Sequence, residues 1–367
     1  MEDASFDAQD RPEPMTSETQ STMHAVLLRA PGGPGALDFV ELPTPTPGPG
    51  EVRVRAHAIG LGRPDVMMRT GKYKWMPALP GIIGNELAGT VDALGEGVNA
   101  SWLGSPVLVS ARELDTRGGC YAEAIVVPAV ALIALPPGID PAHAVALPNY
   151  QLAWGLLHDA TRGRLPRSVY LNGAAGGVGS ALIHVCVQLG VEVIAGAGSQ
   201  PKRAFALAHG ARAALDSGAA SEELVAAVRD ATAGRGVDLV LDHVCGPHFA
   251  AQLDMLAPFG LVVSYNALGG PATGDVFAAL RGAASRGLGI VAYNMHAYNG
   301  AAMRDARRAL LAQPLRWAAE GRITPAIGHR LELSEVRRAH ELLDSRDFMG
   351  KLVLSPDQRS TACWQPP

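Results

Sequence analysis

Residues 168–189 leave the chain few folds to choose from. Ser168-Val-Tyr-Leu-Asn172 is an apolar, β-branched run, Gly173-Ala-Ala-Gly-Gly-Val-Gly179 is a glycine cluster, and Ser180 to Leu189 repeats with a helical period. A strand that turns through glycines into a helix is the first unit of a dinucleotide-binding sheet. The residue types follow from the chemistry. Gly176 lets the main chain approach a pyrophosphate, Gly179 lets the helix pack on the strand, and the free N–H groups of the first turn face the anion along the helix dipole. Ala174 replaces the first glycine of the usual Gly-x-Gly-x-x-Gly pattern. Later strands at Val191-Glu-Val-Ile-Ala195, Val237-Asp-Leu-Val-Leu241 and Gly260-Leu-Val-Val-Ser264 restore the context, with helices expected at 201–208, 221–232 and 247–256. That alternation is βαβ order. Ala174, Ala175, Gly176, Gly177, Val178 and Gly179 are therefore expected to contact a dinucleotide.

At 367 residues two domains are expected, and 48% hydrophobic content is ample for buried cores. No apolar run reaches the roughly 18 residues of a membrane helix, and residues 1–22 are polar and acidic without a signal-peptide core. A cytoplasmic protein is expected. Those 22 residues carry six acids against Arg11, within a net charge of -4, so the remainder is close to neutral and offers nucleic acid or anionic membrane no electrostatic footprint. Cys120, Cys186, Cys245 and Cys363 are far apart, which fits reduced thiols rather than a disulfide framework or zinc knuckle.

Before the dinucleotide unit the pattern is of short strands broken by Pro and Gly: His24-Ala-Val-Leu-Leu28, Leu37-Asp-Phe-Val-Glu41, Glu51-Val-Arg-Val-Arg-Ala-His57, Leu87-Ala-Gly-Thr-Val91, Pro106-Val-Leu-Val-Ser110 and Tyr121-Ala-Glu-Ala-Ile-Val-Val127. Residues 141–158 read as a helical bridge, 301–320 as a helix, and Gly350-Lys-Leu-Val-Leu354 as a closing strand.

This order of parts resembles the medium-chain dehydrogenase/reductase superfamily, and within it the zinc-independent quinone oxidoreductases and enoyl reductases. Gly81-Ile-Ile-Gly-Asn-Glu-Leu-Ala-Gly89, Val91-Asp-Ala-Leu-Gly-Glu-Gly-Val98, the turn at 172–179 and the closing strand carry the likeness. It implies an α/β fold in which a GroES-like β-rich catalytic domain joins a Rossmann domain with a doubly wound parallel sheet. The expected division is a disordered tail at 1–22, the catalytic domain at 23–145, the Rossmann NADPH-binding domain at 146–295, a returning catalytic part at 296–355, and a loose tail at 356–367. A cleft between the domains and a homodimer are also implied. Zinc-dependent relatives ligate their catalytic metal at positions matched here by Gly62 and Asn85, neither of which suits zinc, so no metal is expected.

About 20 residues past Gly179, where an acid would grip the ribose of NAD, stands Ser199, followed by Lys202 and Arg203. A hydroxyl beside two cations suits a 2′-phosphate, and Lys202 matches a family position that contacts it, so NADPH is the expected cofactor. Its nicotinamide should lie beyond the carboxyl ends of the strands, near Val244, Cys245, Asn266, Ala267 and Leu268, with Lys351 close by. Across the cleft, Tyr73 in Thr70-Gly-Lys-Tyr73 matches the tyrosine that assists enoyl-thioester reductases, and a phenol can hydrogen-bond a developing enolate. The family's Asn and Thr near the nicotinamide are Gly62 and Leu152, so the pocket is rebuilt, with Trp75, Tyr150, Met295 and His296 as further wall residues. Three activities stay open: hydride transfer to a quinone or to the β-carbon of an α,β-unsaturated carbonyl, reduction of CoA- or carrier-bound enoyl intermediates, and cofactor binding without catalysis.

Overall fold

The computed structural model describes residues 21–356; the tails expected at either end, with Cys363, fall on or beyond these limits. Six strands lie parallel in the order Ala213–Asp216, Glu192–Ala197, Ser168–Asn172, Val237–Asp242, Leu256–Ser264 and Gly289–Ala292. In chain order this is 3-2-1-4-5-6, so the winding reverses between Ser168–Asn172 and Val237–Asp242. The alternation of side chains explains the layers. Val169, Leu171, Leu239, Leu241 and Val263 enter one apolar cluster with Leu156, Leu157, Ala181 and Val185. Tyr170, Ile194, Val240 and Val262 enter another with Val228, Phe249 and Leu253. A period of two sends neighbours to opposite faces. Both faces are therefore covered, which is why these strands are apolar throughout.

A second sheet is built on the strand Glu51–Leu61, which pairs antiparallel with Glu86–Leu94, Ala124–Pro128 and Lys351–Ser355. Pro106–Ser110 and Ile133–Ala134 extend it on one side and Ile327–Glu332 on the other. Val52, Val54 and Ala56 are buried in alternation with Arg53 and Arg55, as the period-two pattern dictates. Thr22–Leu28, Leu37–Pro43 and Gly81–Ile82 form a small third sheet. The last strand links the parts: Leu352 and Leu354 register against Leu61 and Ile59, and just before them the Gly350 N–H donates to the Ala175 carbonyl at 2.8 Å.

Four expectations change. The bridge at 141–158 is two helices, Pro141–Ala144 and Leu147–His158, because Pro148 begins a helix more readily than it continues one. Residues 121–123 are not strand, since the Tyr121 N–H donates to Ile83 and its carbonyl accepts from Val26, outside the large sheet. The segment 247–256 is two short 3-10 turns, Gly246–His248 and Ala250–Met255, entered through Cys245 at a positive φ of 58°. The helix at 301–320 begins at Arg304, after a 3-10 turn.

Candidate active site

The phosphate loop is shaped by backbone geometry. Gly173 has a φ of +69°, and a Cβ there would meet the His243 ring at 2.1 Å. A Cβ at Gly179 would lie 2.5 Å from the Gly173 carbonyl oxygen and 2.6 Å from Ala174, so only glycine lets the helix Gly177–Gln188 start this close to the strand. Gly176 differs. Its φ of -77° and ψ of 174° suit any residue, and the nearest atom to an added Cβ is 3.7 Å away. The protein leaves a methyl-sized space at the mouth of a helix N-terminus.

That space opens into a cleft of about 680 Å³, lined by both large sheets and by the segment before the last strand. It lies where the winding reverses, and the two strand ends there are joined by the Asn172 amide donating to Asp242 at 3.2 Å. Buried Asp242 also accepts from the N–H groups of Val244 at 3.1 Å and Cys245 at 2.8 Å, which sustains the left-handed Cys245.

Of the dinucleotide residues expected from sequence, Ala175, Gly176, Gly177, Val178, Gly179, Lys202, Val244, Asn266, Leu268 and Lys351 line the cleft. Five do not. Ala174 points into the core with its N–H spent on Gly196, and Cys245 turns into the apolar cluster on the far face. Arg203 pairs with Asp216 at 3.2 Å, Ser199 stands at the N-cap position of the helix Gln200–Ala208 without a side-chain capping bond, and the Ala267 N–H is taken by the Asn266 side chain. Lys202 donates to the Arg346 carbonyl at 2.6 Å, and Arg346 and Ser217 join it in the wall. Arg346 escaped sequence reasoning because it lies 144 residues from Lys202.

Tyr73, Gly62, Trp75, Leu152, Met295 and His296 also line the cleft. Tyr150 does not belong to it: it is buried with its hydroxyl on His184 at 2.6 Å. Two residues apart on one helix, Tyr150 and Leu152 point in opposed directions. Arg117 donates from Nη1 to the Tyr73 hydroxyl oxygen at 2.6 Å and from Nη2 to Asn299 at 2.8 Å, with its guanidinium 4.9 Å from the Trp75 ring. Trp75 lies 4.0 Å from the His296 ring. His296 is lowered to about 4 by burial and by the charges of Arg117, Arg112 and Lys74, so its ring is neutral at pH 7.

The corner where zinc-dependent relatives ligate a metal is filled by other chemistry. Gly62 offers only its N–H, which donates to Asp65 at 2.7 Å, and the Asn85 amide donates to the other Asp65 oxygen at 2.8 Å. Lys351 forms a buried ion pair with Glu86 beside them. Such a donor set does not suit zinc, and among the described residues no three His, Cys, Asp or Glu side chains are grouped to hold a metal.

Asp65, 1% exposed, is raised to about 7 by burial and then by Glu86, against the pull of Lys351, Asn85 and the Gly62 N–H. A carboxyl raised on folding stabilises most below its unfolded value of 3.8, and that contribution is lost as pH rises through about 7. Asp65→Asn should therefore gain stability relative to the wild type between pH 5 and pH 8. Urea unfolding at both pH values checks this, with a constant difference as the contrary result.

Fold and cleft together define an oxidoreductase of the dinucleotide-sheet class, with its second wall supplied by a β-rich unit. Residues 48–137 match the model of the alcohol dehydrogenase GroES-like domain, and residues 209–354 that of the zinc-binding dehydrogenases. A quinone oxidoreductase of Pseudomonas aeruginosa is 33% identical over 327 residues, covering 89% of this chain and 97% of that one. One from Salmonella typhimurium is 31% identical over 334 residues, with the same coverage. A mycobacterial protein solved in complex with NADPH superposes with a TM-score of 0.78 at 30% identity, covering 91% of this chain and all of the other. The chain belongs to the quinone oxidoreductases of the medium-chain dehydrogenase/reductase superfamily.

Proposed function

We propose that the protein is a metal-independent, NADPH-dependent reductase of quinones or α,β-unsaturated carbonyl compounds. The observation that carries the reading is Gly176, a glycine that neither backbone conformation nor packing requires, placed where a pyrophosphate would need the room. N–H groups of the first turn of Gly177–Gln188 hold the diphosphate. Lys202 and Arg346, beside Ser217, hold the 2′-phosphate that distinguishes NADPH from NADH. NADPH, when bound, supplies the reducing equivalents.

The protein's own contribution is orientation and a proton. Arg117 donates to the Tyr73 oxygen, which fixes the ring and leaves the phenolic hydrogen for the acceptor's oxygen as negative charge develops there. Trp75 and Met295 give a planar ligand an apolar surface. The second reading, an enoyl-thioester reductase, places Tyr73 in the same role. Assembly as a homodimer through the exposed edge strand Gly289–Ala292 agrees with Phe259 and Phe277 being 67% and 72% exposed.

The test is cofactor oxidation with quinones, enones and enoyl thioesters, comparing NADPH with NADH. Tyr73→Phe should lower kcat roughly 100-fold, the loss seen when one oxyanion donor is removed, with KM nearly unchanged. If no acceptor is consumed although NADPH binds, the protein is a silent binder.

A further inference from the structure

Among the described residues none of the four arginines that line the cleft, Arg63, Arg112, Arg117 and Arg346, pairs with a carboxylate, and two of them, Arg112 and Arg117, stand on one loop. Arg117 is 5% exposed, and its two hydrogen bonds go to neutral acceptors, Tyr73 and Asn299. Arg112 also meets neutral acceptors only, the Pro148 carbonyl at 3.0 Å and the Gln151 side chain at 3.2 Å. Both face the cleft. Neighbouring acids are engaged elsewhere. Glu113, on the same loop, accepts from Arg307 and Arg308 with Arg304 nearby, Glu86 pairs with Lys351, and Asp65 accepts from Gly62 and Asn85. Among the described residues neither Arg112 nor Arg117 forms an ion pair. A charge taken out of water without a counter-ion is costly, so such a pair implies an anion in the functional state.

The charge balance points the same way. Burial, and after it the charge of Arg117, lower Arg112 against the opposing effect of Glu86, and the same two arginines help depress His296. The nucleotide has its own cations, Lys202 in the helix Gln200–Ala208 and Arg346, whose carbonyl accepts from Lys202. Arg117 instead contacts Tyr73 and Trp75, and Arg112 lies within electrostatic reach of both Arg117 and Tyr73.

We propose that the acceptor carries a carboxylate, docked on Arg112 and Arg117, which holds its conjugated carbonyl against the Tyr73 hydroxyl. Planar guanidinium groups match a carboxylate's two oxygens, and their unused N–H donors supply charge-assisted bonds. The inference rests on the reductase reading for what is reduced, but the anion site can be measured without turnover.

With NADP+ saturating the protein, calorimetry should show 2-naphthoate binding at least tenfold more tightly than neutral 2-naphthamide. The preference should fall below threefold in Arg117→Gln and in Arg112→Gln, with circular dichroism establishing that each variant is folded, and Arg117→Lys should recover part of it. NADPH oxidation should then favour 4-oxo-2-pentenoate over its methyl ester at least tenfold in kcat/KM. Equal binding of naphthoate and naphthamide overturns the proposal, as does equal turnover of acid and ester. If neither acceptor is reduced while naphthoate keeps its arginine-dependent advantage, the reductase reading fails and the anion site stands.

Discussion

Gly176→Val should weaken NADPH binding by about 100-fold or more and leave the melting temperature nearly unchanged. The backbone at Gly176 lies in the ordinary extended region, and a Cβ meets nothing closer than 3.7 Å, so the free protein has room for the first atom of a side chain. The bound state does not. Valine would hold the diphosphate off the helix N–H groups, and losing two charge-assisted hydrogen bonds of about 1.5 kcal/mol each is roughly 100-fold in affinity. Gly179→Ala should behave in the opposite way. Its Cβ would strike main-chain atoms at 2.5 and 2.6 Å, and overpacking of this kind costs about 1–3 kcal/mol. Fluorescence titration and thermal unfolding of both variants separate the two uses of glycine within one loop. Loss of stability in Gly176→Val would show that its site is structural after all.

Glu113→Gln should be the most destabilising single change near the cleft. Glu113 and Arg307 are 1% and 2% exposed, joined at 2.6 and 2.9 Å, with Arg308 also donating to Glu113 at 3.2 Å. Removing one side of a buried pair leaves the other uncompensated, at a cost of about 3–5 kcal/mol. The consequence extends to function, because Glu113 ties the loop that carries Arg112 and Arg117 to the helix Arg304–Ala319. Urea unfolding measures the loss. A change below about 1 kcal/mol would mean that the interior is far more polar than the burial implies.

The phosphate loop was legible in sequence because its chemistry is local: a strand, a glycine turn and a helix within 22 residues. The βαβ alternation and the closing strand were legible in the residues, whereas the doubly wound sheet and the return of the chain to the catalytic part came from the family resemblance. The opposite wall was read less completely. Tyr73 was visible from its Gly-x-Tyr neighbourhood, whereas Arg112 and Arg117 matter through partners they lack, and an unmade ion pair leaves no trace in a sequence. Gly118-Gly119, both at positive φ and adjacent to Arg117, marked a sharp turn there that sequence reasoning passed over. Tyr150 was misplaced because an aromatic near a helix start resembles a cleft residue, and only helix rotation decides which way it points. Arg203 was likewise read from proximity to Lys202, although Asp216, at the end of the next strand, claims it.

The strand Lys351–Ser355 gives the chain a fixed order of assembly during translation. Residues 168–292 hold all six parallel strands, so that sheet can form while the ribosome is still extending the chain. Glu51–Leu61, made much earlier, must wait through nearly 300 further residues for one of its neighbours. Until then the Ile59–Leu61 end of one border stays open to stray pairing, and this half of the protein is where a nascent-chain chaperone would be most useful.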